Sequence, residues 1–476
     1  MAKTKAKIET EAQTIKRKAR EEKQLQKLLK EKARPKSSFY AIYLMMILAL
    51  IQIADDVTTS ISAQMQSEIA ISLFSDRMSI MSSLSALSLP FMIIVIFYKS
   101  LSDKYGRKLF LVINTFGMGI AMFTVFLAGK IGNMGGVVTY AIATCLINFF
   151  IPNDTQVLYI METAPAKYRT TVFAVIKSIA TAGVVIIPFM RRMFMGDDIT
   201  KWHYVYIIPG IFAFAVSFFA LLFVRESDVF INKRIEFLRM SDEERAEIIA
   251  EENKESQAQG GIGNALKFAF SHKQLKWLFI TCVVFGLGAM GANYYQKISD
   301  VFYTTDEVTS VLIMFSVANA LVTLLNGILS DRFGRKKTVI TMAGASFVSF
   351  ALFYIGCRMR WNPYLTGFFA GTYVGSFYSA SDYISGVMTG ESAPTNLRAS
   401  IMSAQSIMNI VGKTLAMILP IIVLAVTHDN YTALANLCVF GSIPSLAISL
   451  FIFITKVGDT TGIDLNTVRG DEWDKE

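Results

Sequence analysis

Six ionisable side chains stand deep inside long apolar runs of the sequence: Asp55, Asp56, Asp154, Lys177, Asp382 and Lys413. A charge withdrawn from water is costly, so such groups face a partner or a wet cavity rather than hydrocarbon. A desolvated carboxylate holds a proton more tightly and can cycle it as water access changes. Any of Asp55, Asp56, Asp154 and Asp382 is therefore a candidate proton-coupling group, with Lys177 the nearest counter-charge by half. Four acids against two lysines favour a cation or protons as cargo. Neutral candidates for contact with a polar solute are Asn293, Tyr294, Tyr295, Asn319, Tyr378, Tyr383, Gln405 and Asn409.

Covalent chemistry finds no support. Gly412-Lys413-Thr414 ends like a phosphate loop, but Ile407 stands where its first glycine is required, and the segment is apolar. No HExxH and no Gly-x-Ser-x-Gly elbow is present. The four cysteines lie in apolar runs without a CxxC pair, and three histidines are scattered. The expectation is a non-enzyme with no cofactor and no metal.

The elements that must position these groups are membrane helices. The chain of 476 residues is 53% hydrophobic and 17% charged, with mean hydropathy +0.45. Soluble chains carry about a quarter charged residues, whereas runs of about 20 apolar residues match a bilayer core. Twelve spans are predicted, at 39–61, 78–98, 109–129, 137–160, 170–190, 204–224, 275–296, 308–329, 338–357, 363–389, 399–426 and 432–455. The domain division is a basic helical tail (1–37), a six-helix bundle (38–224), a central loop (225–274), a second six-helix bundle (275–456) and a short tail (457–476). The fold class is all-α integral membrane.

The net charge of +9 is almost all in residues 1–37, which hold 13 Lys/Arg against 5 Asp/Glu. A basic segment beside a membrane helix fits topology and anionic lipid better than nucleic acid. Its apolar stripe (Ile8, Ile15, Leu25, Leu28, Leu29) is too thin for a coiled coil and suggests a solvated or membrane-surface helix. Lys/Arg-rich connections put both termini in the cytoplasm, although Arg191-Arg192 and Arg358/Arg360 then fall on the outer side. In the central loop Ser241 to Glu244 has the form of a capping box, and Gly260, Gly261 and Gly263 suggest a flexible join.

The sequence repeats itself. Leu101-Ser-Asp103-Lys-Tyr-Gly106-Arg107-Lys108 follows span two, and Leu329-Ser-Asp331-Arg-Phe-Gly334-Arg335-Lys336 follows span eight. Glu162-Thr-Ala-Pro165 with Arg169 ends span four, and Glu391-Ser-Ala-Pro394 with Arg398 ends span ten. The separations are 59 residues from Asp103 to Glu162 and 60 from Asp331 to Glu391. A parallel duplication of six helices is a mark of secondary transporters, with the solute site at the repeat interface.

On these motifs residues 38–456 resemble the major facilitator superfamily, in its sugar-porter and organic-ion-transporter branches. Arg225-Glu226-Ser227 weakly echoes the sugar porters' Pro-Glu-Ser turn. The departures are Lys99 in place of the motif's first glycine, a span seven reading Gly291-Ala-Asn293-Tyr294-Tyr295-Gln296 without paired glutamines, and a span five without the Gly-Pro of drug antiporters. The resemblance implies that spans one, four, seven and ten line a cavity. It places Asp55 where proton-coupled sugar porters hold a protonatable Asp, although span four lacks their arginine. It makes Asp103, Gly106, Arg107, Glu162, Arg169, Asp331, Gly334, Arg335, Glu391 and Arg398 a cytoplasmic gate. The implied protein is a monomeric, alternating-access transporter of the plasma membrane, coupling protons to a small polar solute such as a sugar or organic ion. Alternatives are an exporter of amphiphilic compounds and a membrane sensor on a transporter scaffold.

Overall fold

The computed structural model describes residues 11–33, 39–87, 94–95, 98, 101–102, 105–151, 156, 159–160, 169–196, 198–241, 243–245, 261–394 and 398–460. Every regular element among them is helical. Ten helices are long and apolar enough to cross a membrane, and they fall on ten of the twelve predicted spans. The others are span two, described from Met78 to Leu87, and span ten, Pro363–Asp382. Span ten is less apolar because it carries a stripe of small residues. Gly367, Gly371 and Gly375 recur every four residues, and side chains there would strike the Val311 and Phe315 carbonyls and Asn319 of span eight. Small residues at that spacing let two membrane helices approach closely.

Spans one and seven are both broken. Span one runs Tyr40–Gln64, bends at Met65 and resumes as Gln66–Phe74. Span seven runs Lys273–Gly286, turns at Leu287-Gly288 and resumes as Ala289–Phe302, with a second break at Tyr294. A broken membrane helix must satisfy the backbone groups it releases. The Gly288 carbonyl accepts from the Tyr373 and Ser442 hydroxyls, and the Gly291 N–H donates to Ser442 Oγ.

Most described side chains of the tail helix Glu11–Ala33 are exposed, and one side of it has a partner within the chain. It docks on Asp228–Arg239, the helix that follows span six, through Leu25 and Leu28 against Ile231, Ile235 and Leu238. Arg245 pairs with Glu21 at 2.7 Å. The stripe is thin because the partner is a single short helix. The capping box forms, with reciprocal bonds between Ser241 and Glu244 (2.7 and 3.1 Å). Gly261 and Gly263 are not a flexible join: they open the helix Gly261–Ser271, whose Ala265 and Ala269 bury against Leu275, Phe279 and Ile401. Gly260 lies outside the described residues.

The tail helix and the segment after span twelve mark one end of the molecule, here the tail end. At the opposite, far end a single apolar core runs through both halves, joining Ile61, Met65 and Ile69 to Tyr294, Tyr295 and Ile298. Toward the tail end the described residues form two further clusters, one in the first half around Leu44, Leu48, Ile176 and Val216, the other in the second around Leu275, Phe279, Ile401 and Ala404.

Candidate functional site

Three of the six buried charges come together. Lys177 of span five pairs with Asp56 of span one at 2.5 Å. Thr181, one turn beyond Lys177, donates to the other Asp56 oxygen (3.0 Å). Gln52 donates to both Asp55 and Asp56 (3.1 Å each), and Gln156 of span four reaches Asp55 at 3.1 Å. Asp55 and Asp56 are 5% and 8% exposed, but the Lys177 side chain is 37% exposed, so the cluster borders open space. The neighbouring Ser178 donates to the Ala320 carbonyl of span eight (3.2 Å), which sets the cluster beside the seam between halves. Asp154 lies outside the described residues.

The other two charges belong to the second half. The Lys413 ammonium is 5.6 Å from the centre of the Tyr378 ring. Asp382 is one turn beyond Tyr378, exposed, and immediately precedes a π-helical stretch, Tyr383–Met388. Single π-turns inside helices frequently mark functional sites. Gln405 and Asn409 lie two turns and one turn before Lys413. Both amide atoms of Gln405 and the Asn409 Oδ1 are buried without a hydrogen-bond partner among the described residues. Asn319 sits in the span eight–ten seam against Gly375, and Tyr383 packs on the core, so both are engaged in helix packing.

Asn293, Tyr294 and Tyr295 sit at the second break of span seven, inside a closure of the far end. Gln66 donates its N–H to Gln296 Oε1 and its amide to the Asn293 carbonyl (2.9 Å each). Gln296 donates to Glu68 (3.1 Å), which pairs with the fully buried Arg191 of span five. Ser67 donates to Asp300. The Lys297 ammonium lies 3.6 Å from the centre of the Tyr431 ring and 3.7 Å from Asp76. Ser79 donates twice to Asp429, Tyr294 donates to Ser82 (3.3 Å), and Tyr295 stacks on Phe315 at 4.3 Å. Outside this closure the halves also meet at Ser178 and at Arg192–Asp306.

The predicted set did not contain Glu68, Arg191, Lys297 or Asp300. They lie at span ends, where a hydropathy window reads a charge as loop. The signal that points to them is the pair of arginines on the side where few are expected. Arg191 pairs with Glu68, Arg192 with Asp306 (2.9 Å), and Arg360 with Glu307 (3.8 Å), so most of that misplaced positive charge is matched locally.

At the tail end each half repeats one device. Gly106 (φ 110°) and Gly334 (φ 86°) hold the left-handed backbone that lets the chain enter the next helix. Glu226 accepts the N–H groups of Arg107 (3.0 Å) and Lys108 (3.1 Å) and so caps that helix. A side chain at Gly106 would collide with the Glu226 carboxylate. Burial pushes the Glu226 carboxyl above the usual glutamate range, against the lowering effect of those N–H donors. In the second half Asp459 accepts from the Lys336 N–H (3.3 Å), and Glu391 binds Arg335 (3.3 Å) and Thr460 (2.5 Å). Lys99, Asp103, Glu162 and the side chains of Arg169, Asp331 and Arg398 lie outside the described residues.

Comparison with known proteins gives this arrangement a family. The sequence matches the family described as "Sugar (and other) transporter" over residues 56–466. A search of curated proteins finds no match. Among solved structures, the proton:xylose symporter XylE bound to 6-bromo-6-deoxy-D-glucose aligns with TM-score 0.60 and 14% identity, covering 91% of this chain and 99% of that one. The inward-open xylose transporter XylE from E. coli gives TM-score 0.60 and 16% identity over 90% and 99%. The E. coli fucose:proton symporter FucP gives 0.54 and 12% over 88% and 99%. At these identities the structures establish a common fold, and the family match spans most of the sequence. The chain belongs to the sugar (and other) transporter family, within the major facilitator superfamily.

Proposed function

We propose that this transporter works by alternating access as a proton-coupled symporter of a small polar organic solute, with the Asp55–Asp56–Lys177 cluster carrying the proton. The tail end is cytoplasmic, on the strength of its Lys/Arg-rich connections. The conformation is then closed to the outside. The observation that carries the reading is where the cluster sits: in mid-span, bordering open space, beside the seam along which the halves meet and beneath the closed end. Protonation of Asp56 removes the charge that holds Lys177 and frees span five from span one. Binding energy that differs between two conformers is what shifts their populations.

The test is external pH on adding sugars and organic acids to de-energised cells expressing the protein, beside uptake of the labelled solute. Solute-dependent alkalinisation that is lost in Asp56→Asn or Asp55→Asn, with solute exchange retained, supports the proposal. Uptake of labelled solute with no pH change overturns proton coupling and returns the cluster to a structural role.

A further inference from the structure

Lys413 lies midway along Arg398–Val426, on the side that carries the buried Gly412, Ala416, Pro420 and Leu424. It does not face lipid. Its ammonium approaches the Tyr378 ring of span ten. Spans seven and eleven touch backbone to backbone there: a side chain at Gly286 would come within 2.9 Å of Gly412 Cα. Lys413 therefore points between two of the helices expected to line the cavity.

The two membrane lysines differ in what they hold. Lys177 is committed to Asp56. Among the described residues Lys413 lies within ion-pair distance of no carboxylate, and the contact its ammonium makes there is with the Tyr378 ring. Asp382, the nearest acid along span ten, is beyond that distance and has interactions of its own. A cation held in mid-membrane without a counter-ion is costly. Along the same stripe of its helix, Asn409 Oδ1 and both amide atoms of Gln405 are buried without partners among the described residues. Tyr378 is 38% exposed, so part of the ring beside Lys413 is uncovered.

We propose that Lys413 is the anion subsite of the solute site, so that the solute class is a small organic acid whose carboxylate pairs with Lys413 beside Tyr378. This rests on the transport reading above and narrows it. Counting four acids against two lysines favoured a cation; what each charge is committed to reverses that. Asp55 and Asp56 are occupied by Lys177 and by amide and hydroxyl donors, whereas Lys413 meets no carboxylate among the described residues.

The test uses acids and their neutral counterparts on the purified full-length protein: D-glucuronate against D-glucose, D-gluconate against sorbitol, and L-lactate against propylene glycol. Binding is read as a rise in the thermal unfolding midpoint, and flux as labelled uptake into liposomes. At least one acid is expected to stabilise the protein where its neutral counterpart does not. The apparent affinity should fall about tenfold or more in Lys413→Met and recover in Lys413→Arg, as a charge-assisted contact requires. If Lys413→Met fails to fold, Lys413→Gln gives the same comparison. Equal stabilisation by acids and neutral counterparts, an acid effect that survives Lys413→Met, or no effect of any acid overturns the anion subsite. Flux of a neutral counterpart at the same rate in wild type and Lys413→Met overturns the subsite and leaves transport standing. Acid binding without flux overturns transport and leaves the subsite standing.

Discussion

Met65 and Tyr294 carry the same break in the backbone, with φ/ψ of −123°/15° and −120°/15°. They are 229 positions apart, the offset that also separates Glu162 from Glu391. The duplication thus extends beyond the loop motifs to the bends of the two spans that open the halves. Beyond each bend the chain turns across the far end, and Gln66 and Gln296 meet there. Glu68 and Lys297, also 229 apart, are placed by the bends into opposite arms of one closure, where Glu68 holds Arg191 and Lys297 holds Asp76 and Tyr431.

The Arg191–Glu68 pair is fully inside the closure, so removing one partner strands the other. Stranding a buried charge costs about 3–5 kcal/mol. Arg191→Met is expected to open the far end. With Ser82→Cys as a reporter buried within the closure, in a background lacking the native cysteines, an impermeant maleimide added on the far-end side should react at least about tenfold faster in Arg191→Met. Replacing both partners together, Arg191→Met with Glu68→Met, should recover much of the protection.

Lys297 is held mainly by the face of Tyr431, an attraction of about 0.5–2 kcal/mol, and by a longer approach to Asp76. Tyr431→Phe keeps the ring and loses the hydroxyl bond to Asp76 (2.5 Å). Tyr431→Leu loses both. The same maleimide assay should rank exposure as wild type, then Tyr431→Phe, then Tyr431→Leu. Equal exposure of the two variants would assign the contact to the hydroxyl alone.

Gly106 and Glu226 can be separated by pH. Gly106→Ala meets both the left-handed backbone and the Glu226 carboxylate, and should cost about 2 kcal/mol of stability. Burial makes Glu226 hold its proton more tightly folded than unfolded. Its contribution is therefore greatest below the ordinary glutamate range and is lost as pH rises through that range toward the raised folded value. The thermal midpoint should fall over that window in wild type, and Glu226→Gln should remove this part of the slope.

The lysine and carboxylates of the first-half cluster were legible because a charge inside an apolar run stands out at any window length. That Lys177 chooses Asp56, with Asp55 served by Gln52 and Gln156, was not, since both acids sit on one turn and register is a property of packed helices. Spans were legible from hydropathy wherever a helix is apolar throughout. Span ten was harder because glycine and serine serve its packing on span eight. The far-end closure escaped because its charges lie at span ends and pair across halves, and neither periodicity nor spacing reports a contact between residues more than two hundred positions apart. The docking of the tail helix was hidden because two leucines, Leu25 and Leu28, suffice against so small a partner.

The most direct test of alternating access is a lock on the closed end. In a background lacking the native cysteines, Gln66→Cys with Gln296→Cys joins the two bent arms when oxidised or bridged by a short crosslinker. The expected result is that crosslinking abolishes solute uptake into liposomes and that reduction restores it, while each single variant treated in the same way keeps its transport. Undiminished uptake by the fully crosslinked protein would show that solute crosses without the far end opening, and would contradict the account.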